Sequence, residues 1–489
     1  MIRELSYGAL RKQVGLGLAV TADSRTVQTG CVFVAVQGAS EDGTRYVSQA
    51  VEKGAGFVLL AETLRDSELA RSAEDQGACC VFHENPRYAL SELASDHYHT
   101  LTTPLTILAV TGTNGKTTCA YLLEQLFSAM GKKVGVLGTV SYRWPGHCEP
   151  APLTTPGPLE VHASLAAMAS AGAEVCIMEV SSHALAQDRV RHVPFAGACF
   201  TNLTQDHLDF HGNMEDYFAA KALLFTQTPK LTKAVATNAE DAYGLRLQKL
   251  CPQAWTYGFC PAPAGCDPAR HLQAELLEHG TSGVGIRMQA GDRTWELHSP
   301  LIGRFNADNL LTVQALGLAL GITDFQALEG FAGVPGRLER VDNARNLHVF
   351  VDYAHTPDAL VNVLQALRGA GFKRIVTVFG CGGNRDRAKR PLMGEAVARY
   401  SDVAVLTSDN PRFEKPADIL ADVMPGLATA KEVLVDEDRA SATAKALELL
   451  GPDDCLLIAG KGHEDYQIVN GVKRHYSDQE TVRTLLGAR

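Results

Sequence analysis

Short apolar runs of strand length recur along the chain, and between them apolar residues return every three or four positions. Five such runs lie near residues 106–111, 133–137, 174–180, 196–201 and 233–237. After the first run, Leu122, Leu123, Leu126 and Phe127 follow the spacing of a helix with one buried face. This alternation predicts an α/β fold with a mainly parallel sheet and helices on both of its faces.

The same pattern divides the chain into three parts. Thr102-Thr103-Pro104 and the glycine-rich stretch 330–336 interrupt it, which predicts domains at residues 1–103, 104–328 and 329–489. The first is a smaller α/β domain, the second a P-loop-type parallel sheet with flanking helices, and the third a Rossmann-like domain. Residues 251–301 are richer in proline, glycine and short alternating runs, and they predict an antiparallel excursion. Further strands are predicted in the outer domains, near residues 31–36, 56–60, 347–351, 374–379, 403–407 and 455–459.

Composition narrows the class of protein. A chain of 489 residues is too long for one core, and its 46% hydrophobic and 20% charged residues are typical of a soluble globular protein. The net charge of −10 argues against a nucleic-acid partner. We find no apolar stretch long enough for a membrane span and no signal-peptide core at the start. Twelve scattered cysteines, with no Cys-x2-Cys pair, favour the reducing cytoplasm.

The segment from Gly112 to Thr118 (Gly-Thr-Asn-Gly-Lys-Thr-Thr) carries the strongest chemical signal. It joins a predicted strand to the start of a predicted helix, where backbone N–H groups and the helix dipole favour phosphate. Lys116 is placed to neutralise phosphate oxygens, and Thr117 to ligate Mg²⁺. Val110 stands where the longer P-loop pattern has its first glycine, so this is a shorter variant of that loop. The sequence therefore predicts a nucleotide-phosphate loop.

Polar clusters follow other predicted strands, where ligands bind in open parallel sheets. Residues 179–183 and 202–211 do so in the central domain, and Glu179 and His207 are candidate Mg²⁺ ligands there. In the third domain the basic run 384–390 follows one predicted strand. Arg412 and Glu464 follow two other strands of the same domain, so they are expected near this run. Arginines beside an acid suit a zwitterionic ligand that carries carboxylates.

Taken in order, the motifs resemble the Mur ligase family over nearly the whole chain. Within the family, the resemblance is to the members that add the third residue of the peptidoglycan stem peptide. The matching segments are Asp23-Ser24-Arg25, Gly38 to Gly43, Gly112 to Thr118, Thr154-Thr155-Pro156, Glu179 to His183, Asp206 to Asp209, Asn306 with Asn309, Pro335-Gly336-Arg337, and Asp352 to Pro357.

The resemblance implies a role for each matching residue. ATP would contact Gly112, Thr113, Asn114, Gly115, Lys116, Thr117, Thr118, Asn306, Asn309, Arg337, Asp352 and His355. The UDP-linked substrate would contact Ala22, Ser24, Ala39, Ser40, Glu41, Thr154, Thr155, Ser181, Gln187 and Arg189. Mg²⁺ would be held by Thr117, Glu179, His207 and a carbamylated Lys221, and catalysis would rest on Lys116, Lys221 and His207. The incoming amino acid would contact Arg385, Asp409, Asn410, Pro411, Arg412, Gly460 and Glu464.

The resemblance also implies a reaction. ATP would phosphorylate the D-glutamate side-chain carboxylate of UDP-N-acetylmuramoyl-L-alanyl-D-glutamate, and the amine of meso-diaminopimelate would attack the acyl phosphate. The Asp409-Asn410-Pro411-Arg412 sequence favours diaminopimelate, with L-lysine as the alternative. A folylpolyglutamate synthase-like ligase is a second alternative, although it would not need the Asp23-Ser24-Arg25 domain. A nucleotide switch is disfavoured because the chain has no Asn-Lys-x-Asp motif. We expect a monomeric cytoplasmic enzyme.

Overall fold

The structure, a computed structural model, describes residues 5–38, 42–227 and 234–487. It divides into two compact units, one of Met1–Leu272 with Thr312–Thr323 and one of Gln273–Leu311 with Asp324–Arg489. The mixed α/β class and the parallel central sheet are confirmed. The three domain boundaries stay predictions. Within the described ranges, no helix is both long and apolar enough to cross a membrane.

The first unit begins with a four-stranded parallel sheet in the order β1-β2-β3-β4. Successive residues of a strand point to opposite faces, so Phe33 and Val58 enter one buried cluster while Val34 and Leu59 enter the other. Both faces of this sheet are therefore covered by helices. The elements are α1 (Tyr7–Gly15), β1 (Val20–Thr21), β2 (Val32–Val34), α2 (Val47–Glu52), β3 (Phe57–Ala61), α3 (Glu68–Asp75), β4 (Cys79–His83) and α4 (Pro86–His97).

The rest of the first unit is built on strands in the order β12-β11-β10-β5-β9-β6-β7-β8. The strands from β12 to β6 are parallel, and β7 and β8 add an antiparallel hairpin that the sequence did not predict. The elements are β5 (Thr106–Thr111), α5 (Lys116–Ala129), β6 (Val134–Leu137), β7 (Ser141–Trp144), β8 (His147–Pro150), α6 (Pro158–Ser170), β9 (Val175–Glu179), α7 (Ser182–Ala186), β10 (Phe195–Phe200), α8 (Leu208–His211), α9 (Met214–Thr226), β11 (Ala234–Asn238), α10 (Ala242–Leu250) and β12 (Trp255–Gly258).

The second unit contains the predicted antiparallel excursion and a six-stranded sheet. The excursion is the β13-β14-β15 meander, which confirms the antiparallel prediction for residues 271–299, whereas residues 255–258 of the predicted range form β12, parallel to β11. The sheet has the order β16-β17-β21-β18-β19-β20, and all its strands are parallel except β16. Strands β22 and β23 form a separate hairpin.

The remaining elements include two that cross the boundary between the units, β13 and α11. They are β13 (His271–Gly280), β14 (Gly283–Ala290), β15 (Arg293–Ser299), α11 (Arg304–Ala319), β16 (Glu339–Arg340), β17 (His348–Asp352), α12 (Pro357–Gly369), β18 (Ile375–Phe379), α13 (Lys389–Tyr400), β19 (Val403–Leu406), α14 (Pro416–Val423), β20 (Val433–Val435), α15 (Arg439–Glu448), β21 (Cys455–Ala459), β22 (Tyr466–Val469), β23 (Val472–His475) and α16 (Asp478–Leu486).

Candidate active site

The predicted phosphate loop lies between β5 and α5, as its sequence indicates. Gly112 and Gly115 have φ of 146° and 86°, backbone conformations that favour glycine. Gly115 precedes the first residue of α5, Lys116, and has no side chain with which to cap the helix. The first backbone N–H groups of α5 have no partner within the helix, so this end of α5 is suited to an anion. Thr117 and Thr118 are buried in the first turn.

The loop is fastened to the segment that follows β10. Thr113 N–H donates to the carbonyl oxygen of Asn202 at 2.9 Å, and Asn114 N–H donates to the side-chain oxygen of Asn202 at 3.0 Å. The Thr201 hydroxyl donates to the Asn114 carbonyl at 2.6 Å. A Cβ on Gly112 would lie 1.9 Å from Thr201 Oγ1, so only glycine fits there. These contacts hold the loop in a defined shape.

Two lysines meet at this loop. Lys116 Nζ donates to the carbonyl oxygens of Gly112 and Thr113, at 3.0 and 2.8 Å. Lys221 lies on α9, is 1% exposed, and donates from Nζ to the same Gly112 oxygen at 2.8 Å. Burial lowers the pKa of Lys221 well below its usual value, and the charge of Lys116 lowers it further. Lys221 is therefore not a surface lysine.

Glu179, at the end of β9, lies beside the phosphate loop and is buried. Its Oε2 accepts hydrogen bonds from the hydroxyls of Thr117 and Thr139, each at 2.9 Å, and its Oε1 accepts from Thr139 N–H at 2.9 Å. Hydroxyl and carboxylate oxygens are the ligands that Mg²⁺ prefers, so Thr117 and Glu179 fit that ion.

His207, the other predicted ligand, precedes α8 in an exposed segment with φ of 53°. Its Nε2 lies 3.4 Å from Asp206 Oδ2, and its ring packs edge-on against that of His183, with centroids 4.8 Å apart. The described parts of the chain hold no group of three or more His, Cys, Asp or Glu side chains suited to a metal. The set of Thr117, Glu179, His207 and a modified Lys221 stays a prediction.

The residues predicted to hold the muramoyl-dipeptide form a continuous group beside Glu179. The Thr155 hydroxyl donates to the Glu179 carbonyl at 2.8 Å and accepts from Ser181 N–H at 3.1 Å. Arg189 donates to the Thr155 carbonyl at 2.8 Å and to Gln187 Oε1 at 2.6 and 3.0 Å. The Thr154 hydroxyl lies 3.2 Å from that of Thr139. The structure thus brings together Thr154, Thr155, Ser181, Gln187 and Arg189.

The residues predicted to bind UDP are only partly described. The Ser24 hydroxyl donates to Gln49 Oε1 at 2.7 Å, and Lys53 Nζ donates to the Ser24 carbonyl at 2.9 Å. Ala22 lines a cavity together with Leu159 of α6. Ala39, Ser40 and Glu41 lie outside the described residues.

In the second unit, the residues predicted to contact ATP occupy two places. Asn306 and Asn309 are buried on α11, where Asn309 Nδ2 donates to Asn306 Oδ1 at 3.1 Å. Asp352 accepts from the N–H groups of Leu338 and Ala354 at 2.6 and 2.7 Å, and burial raises its pKa. The Arg337 guanidinium lies 4.9 Å from the ring centre of Tyr353. The ring centres of His355 and Tyr353 are 4.6 Å apart.

Arg385 and Arg412, which are predicted to bind the incoming amino acid, both lie next to Gly382 in the loop after β18. A Cβ on Gly382 would lie 2.9 Å from Arg412 Nη1 and 3.8 Å from Arg385 Cγ. Arg412 has φ of 54°, and its Nη1 donates to the Gly383 carbonyl at 2.9 Å. A Cβ on Gly383 would lie 2.0 Å from the carbonyl oxygen of Pro411, so both segments are closely packed.

The predicted acidic side of this pocket contains a cation that the sequence analysis did not select. Lys461 is fully buried, and its Nζ lies 3.6 Å from Asp409 Oδ1 and 3.6 Å from Glu464 Oε2. Asn410 Nδ2 donates to Glu464 Oε2 at 2.9 Å. Gly460 has φ of 115°, and a Cβ there would lie 2.8 Å from Asp409 Oδ2. Asp409, Asn410, Gly460 and Glu464 are therefore brought together around Lys461.

Part of the basic run 384–390 proves to be structural. Arg390 is fully buried and forms ion pairs with Glu414 at 2.9 Å and Asp422 at 2.8 Å. Arg387 also pairs with Asp422, at 2.8 Å. These two positive charges are neutralised by the protein itself. Of the other two cations of the run, Lys389 donates to the His355 carbonyl at 3.0 Å and Arg385 lies beside Arg412.

Comparison with known proteins identifies the family. Residues 110–317 match the model of the Mur ligase middle domain, and residues 336–462 match the model described as Mur ligase, glutamate ligase domain. A relative from Lawsonia intracellularis, the UDP-N-acetylmuramoyl-L-alanyl-D-glutamate--2,6-diaminopimelate ligase, is 50% identical over 472 residues, which are 96% of each chain. The chain belongs to the Mur ligase family.

Other Mur ligases agree in sequence and in fold. The ligase of the same name from Synechococcus elongatus is 43% identical over 488 residues, covering 98% of this chain and 96% of its own. A solved structure of a UDP-N-acetylmuramoyl-L-alanyl-D-glutamate--2,6-diaminopimelate ligase is 31% identical, with a TM-score of 0.67 over 96% of this chain and 94% of that one.

Within this Mur ligase, sequence reasoning missed Thr139 and Lys461. Both follow strands at the edge where ligands bind, Thr139 after β6 and Lys461 after β21. Their position directly after a strand was the feature of the sequence that could have identified them. Applied to every strand of the two sheets, the rule on strand ends would have selected both residues.

Proposed function

We propose that the chain is the ATP-dependent ligase that joins meso-diaminopimelate to the D-glutamate side-chain carboxylate of UDP-N-acetylmuramoyl-L-alanyl-D-glutamate in peptidoglycan synthesis. The observation that carries this proposal is the placement of Arg385 and Arg412 beside Gly382 and of Asp409 and Glu464 around Lys461, which offers groups for both carboxylates and ammonium groups. The relatives whose names state this reaction are similar over nearly the full chain.

The phosphate loop supports the first chemical step. A carboxylate does not react with an amine at a useful rate because its oxygen is a poor leaving group. A D-glutamate carboxylate oxygen attacks the γ-phosphorus of ATP, ADP leaves, and an acyl phosphate remains. Two anions must meet for this, so charge neutralisation and alignment are the main tasks of the protein. Lys116, which now bonds to carbonyls of its own loop, is placed to turn to the phosphate oxygens.

The second step forms the amide. The diaminopimelate amine attacks the acyl carbon, phosphate leaves, and the nitrogen loses a proton. Mg²⁺ held by Thr117, Glu179, His207 and a modified Lys221 would supply positive charge next to the phosphate groups. Thr154, Thr155, Ser181, Gln187 and Arg189, which adjoin Glu179, would hold the dipeptide so that its carboxylate faces the loop.

The position of Lys221 supports its carbamylation. Its amine is buried and shares one carbonyl oxygen with the ammonium group of Lys116. A second positive charge there is unfavourable, whereas the neutral amine is a nucleophile. Its nitrogen attacks the carbon of CO₂ and loses a proton, which leaves an anionic carbamate. That group would neutralise Lys116 and provide oxygen for Mg²⁺.

Diaminopimelate differs from L-lysine by one carboxylate at the far end of its side chain. Arg412 carries the group that would read it, because guanidinium binds carboxylate through two parallel hydrogen bonds. L-Lysine in this pocket would leave the guanidinium desolvated without an anion. Sites built around a polar group reject an analogue that lacks it by about 10⁴–10⁵.

A phosphate-release assay tests the function. The purified chain is mixed with ATP, Mg²⁺ and UDP-N-acetylmuramoyl-L-alanyl-D-glutamate, and then with meso-diaminopimelate, L-lysine or no amino acid. A parallel reaction contains tetrahydrofolate and L-glutamate instead. We expect phosphate and ADP only with the muramoyl substrate and meso-diaminopimelate. Equal use of L-lysine would contradict the amino-acid assignment, and turnover of the folate pair would assign the chain to the other ligase class.

A further inference from the structure

Lys461 is the most deeply buried cation of the amino-acid pocket, and the reaction proposed above gives it no role. Its side chain is 0% exposed, and it lies in the short loop between β21 and β22. Burying an ammonium group is costly unless it is paired and hydrogen-bonded. Nζ donates to the Tyr466 carbonyl at 2.6 Å and to Asn410 Oδ1 at 3.1 Å.

The contacts of Lys461 fix the orientation of Asn410. Asn410 Oδ1 accepts from Lys461 Nζ and from Ile468 N–H, at 3.1 and 2.9 Å. An amide whose oxygen is held by two donors must turn its NH₂ group the other way. That group donates to Glu464 Oε2 at 2.9 Å, so the position of the Glu464 carboxylate depends on Lys461 through Asn410.

The two carboxylates lie near Lys461 but beyond hydrogen-bond length. Asp409 Oδ1 and Glu464 Oε2 are each 3.6 Å from Nζ. At this distance the ammonium group stabilises their negative charge without taking up the lone pairs of their oxygens. A carboxylate that stays charged and keeps its oxygens is what an incoming ammonium group requires.

The surroundings leave this task to Lys461. The other charged groups that act on it are Arg439 and Asp478, from α15 and α16. These two pair with each other through two hydrogen bonds of 2.8 Å. Burial lowers the pKa of Lys461, and Asp409 and Glu464 oppose that effect. The charges of the lysine and of the two acids therefore support one another.

We propose that Lys461 is a positioning residue for amino-acid recognition, which aligns Asp409, Asn410 and Glu464 for an ammonium group of the substrate. It acts through these three side chains and does not touch the reacting atoms. The inference rests on the proposed function, because it takes the substrate to be a diamino acid.

The test compares Lys461→Met, Lys461→Gln and the control Lys445→Met, which removes an exposed lysine paired with Asp436 in the same unit. We expect both Lys461 variants to raise the KM for meso-diaminopimelate by about 10- to 100-fold, the range that a hydrogen bond to a charged group contributes. The KM values for ATP and the muramoyl substrate should stay unchanged. The kcat should change far less than this KM, because Lys461 does not touch the reacting atoms. Lys445→Met should match the wild type.

The outcomes separate this inference from the proposed function. A wild-type enzyme that does not use meso-diaminopimelate overturns the proposed function. An active wild type with an unchanged KM for meso-diaminopimelate in Lys461→Gln overturns the role of Lys461 alone. Failure of both Lys461 variants to fold, seen by circular dichroism, overturns it as well, because the lysine is then only a structural element.

Discussion

Lys116 and Lys221 donate to the same backbone oxygen, the carbonyl of Gly112, at 3.0 and 2.8 Å. One comes from the first turn of α5 and the other from the middle of α9. A single carbonyl oxygen does not neutralise two ammonium groups in a buried place. The arrangement therefore disfavours two positive charges, and burial, which lowers the pKa of Lys221, makes Lys221 the better candidate for the neutral amine.

Replacement of Lys221 by alanine should nearly abolish ligation. The variant removes both the carbamate and the contact to Gly112, and short carboxylic acids such as acetate or propionate should restore part of the activity by supplying the missing anionic oxygen. Initial rates of phosphate release with and without the added acid measure this. Incubation of the wild type with ¹³C-bicarbonate should give a carbamate carbon signal that Lys221→Ala lacks.

The matched control is Lys249→Ala, which removes an exposed lysine from α10 of the same unit. It should keep wild-type activity and show no response to acetate. Full activity of Lys221→Ala would end the carbamate proposal.

Replacement of Lys116 by alanine should reduce kcat by about 10²–10³, the usual loss when one preorganised donor to a developing charge is removed. Lys116 is the cation of the phosphate loop, so its loss affects the transferred phosphate. The products in the wild type should be ADP and phosphate, resolved by ion-exchange chromatography. AMP and pyrophosphate as products would mean that ATP is cleaved at another bond.

Replacement of Thr139 by valine should weaken the Mg²⁺ site without touching a predicted ligand. The variant removes the hydroxyl that donates to Glu179 Oε2 but keeps the shape of the side chain and the backbone N–H bond to Oε1. Loss of a partner that orients a metal ligand costs about 10- to 100-fold in metal affinity. The Mg²⁺ concentration for half-maximal rate should rise accordingly. Thr294→Val, at an exposed position of β15, is the control and should show no change.

Replacement of Arg412 by alanine should affect one amino acid far more than another. Loss of a bond between charged groups raises the KM for meso-diaminopimelate by about two orders of magnitude. L-Lysine has no distal carboxylate, so its slow use should stay near the wild-type level. The ratio of kcat/KM for the two amino acids is the quantity to compare. An equal loss for both would place Arg412 at the carboxylate that they share.

The ion pairs of Arg390 predict how stability depends on pH. Arg390 holds the pKa of Glu414 at about 2, below its ordinary value of 4.5, with a bond from Asn384 N–H adding to the effect. A carboxyl group whose pKa is lower in the folded state than in the unfolded state stabilises the fold at pH values above its unfolded-state pKa. This stabilisation is lost as pH falls from about 4.5 to 2. Thermal unfolding measured over this range should show a steep fall in Tm for the wild type and a shallower one for Arg390→Met. Arg345→Met, at an exposed site, should keep the wild-type slope.

The fold could be predicted where strands form buried apolar runs. Thr106–Thr111 and Val403–Leu406 are of this kind, because parallel strands covered on both faces contain few polar positions. The β7-β8 hairpin escaped prediction for the opposite reason. Its strands, Ser141–Trp144 and His147–Pro150, are short, half-exposed and rich in polar residues.

The positions of candidate site residues after strands could be predicted from the sequence, but the contacts between those residues could not. Glu179 and Arg412 are found by their position after strands, which is a local property. The bond from Thr139 to Glu179 spans 40 residues, and that from Lys461 to Asn410 spans 51. Such pairs depend on which strands are neighbours in the sheet, and the sequence pattern leaves that order open.

The missing side chain of Gly112 also bears on the thermodynamics of nucleotide binding. Thr201 fills the space next to this glycine, and the bonds from Thr113, Asn114 and Thr201 hold the loop in place. A cradle that is ordered in advance gives up little conformational entropy when the phosphates enter. The more of the order of the loop these bonds supply, the less of it nucleotide binding has to supply.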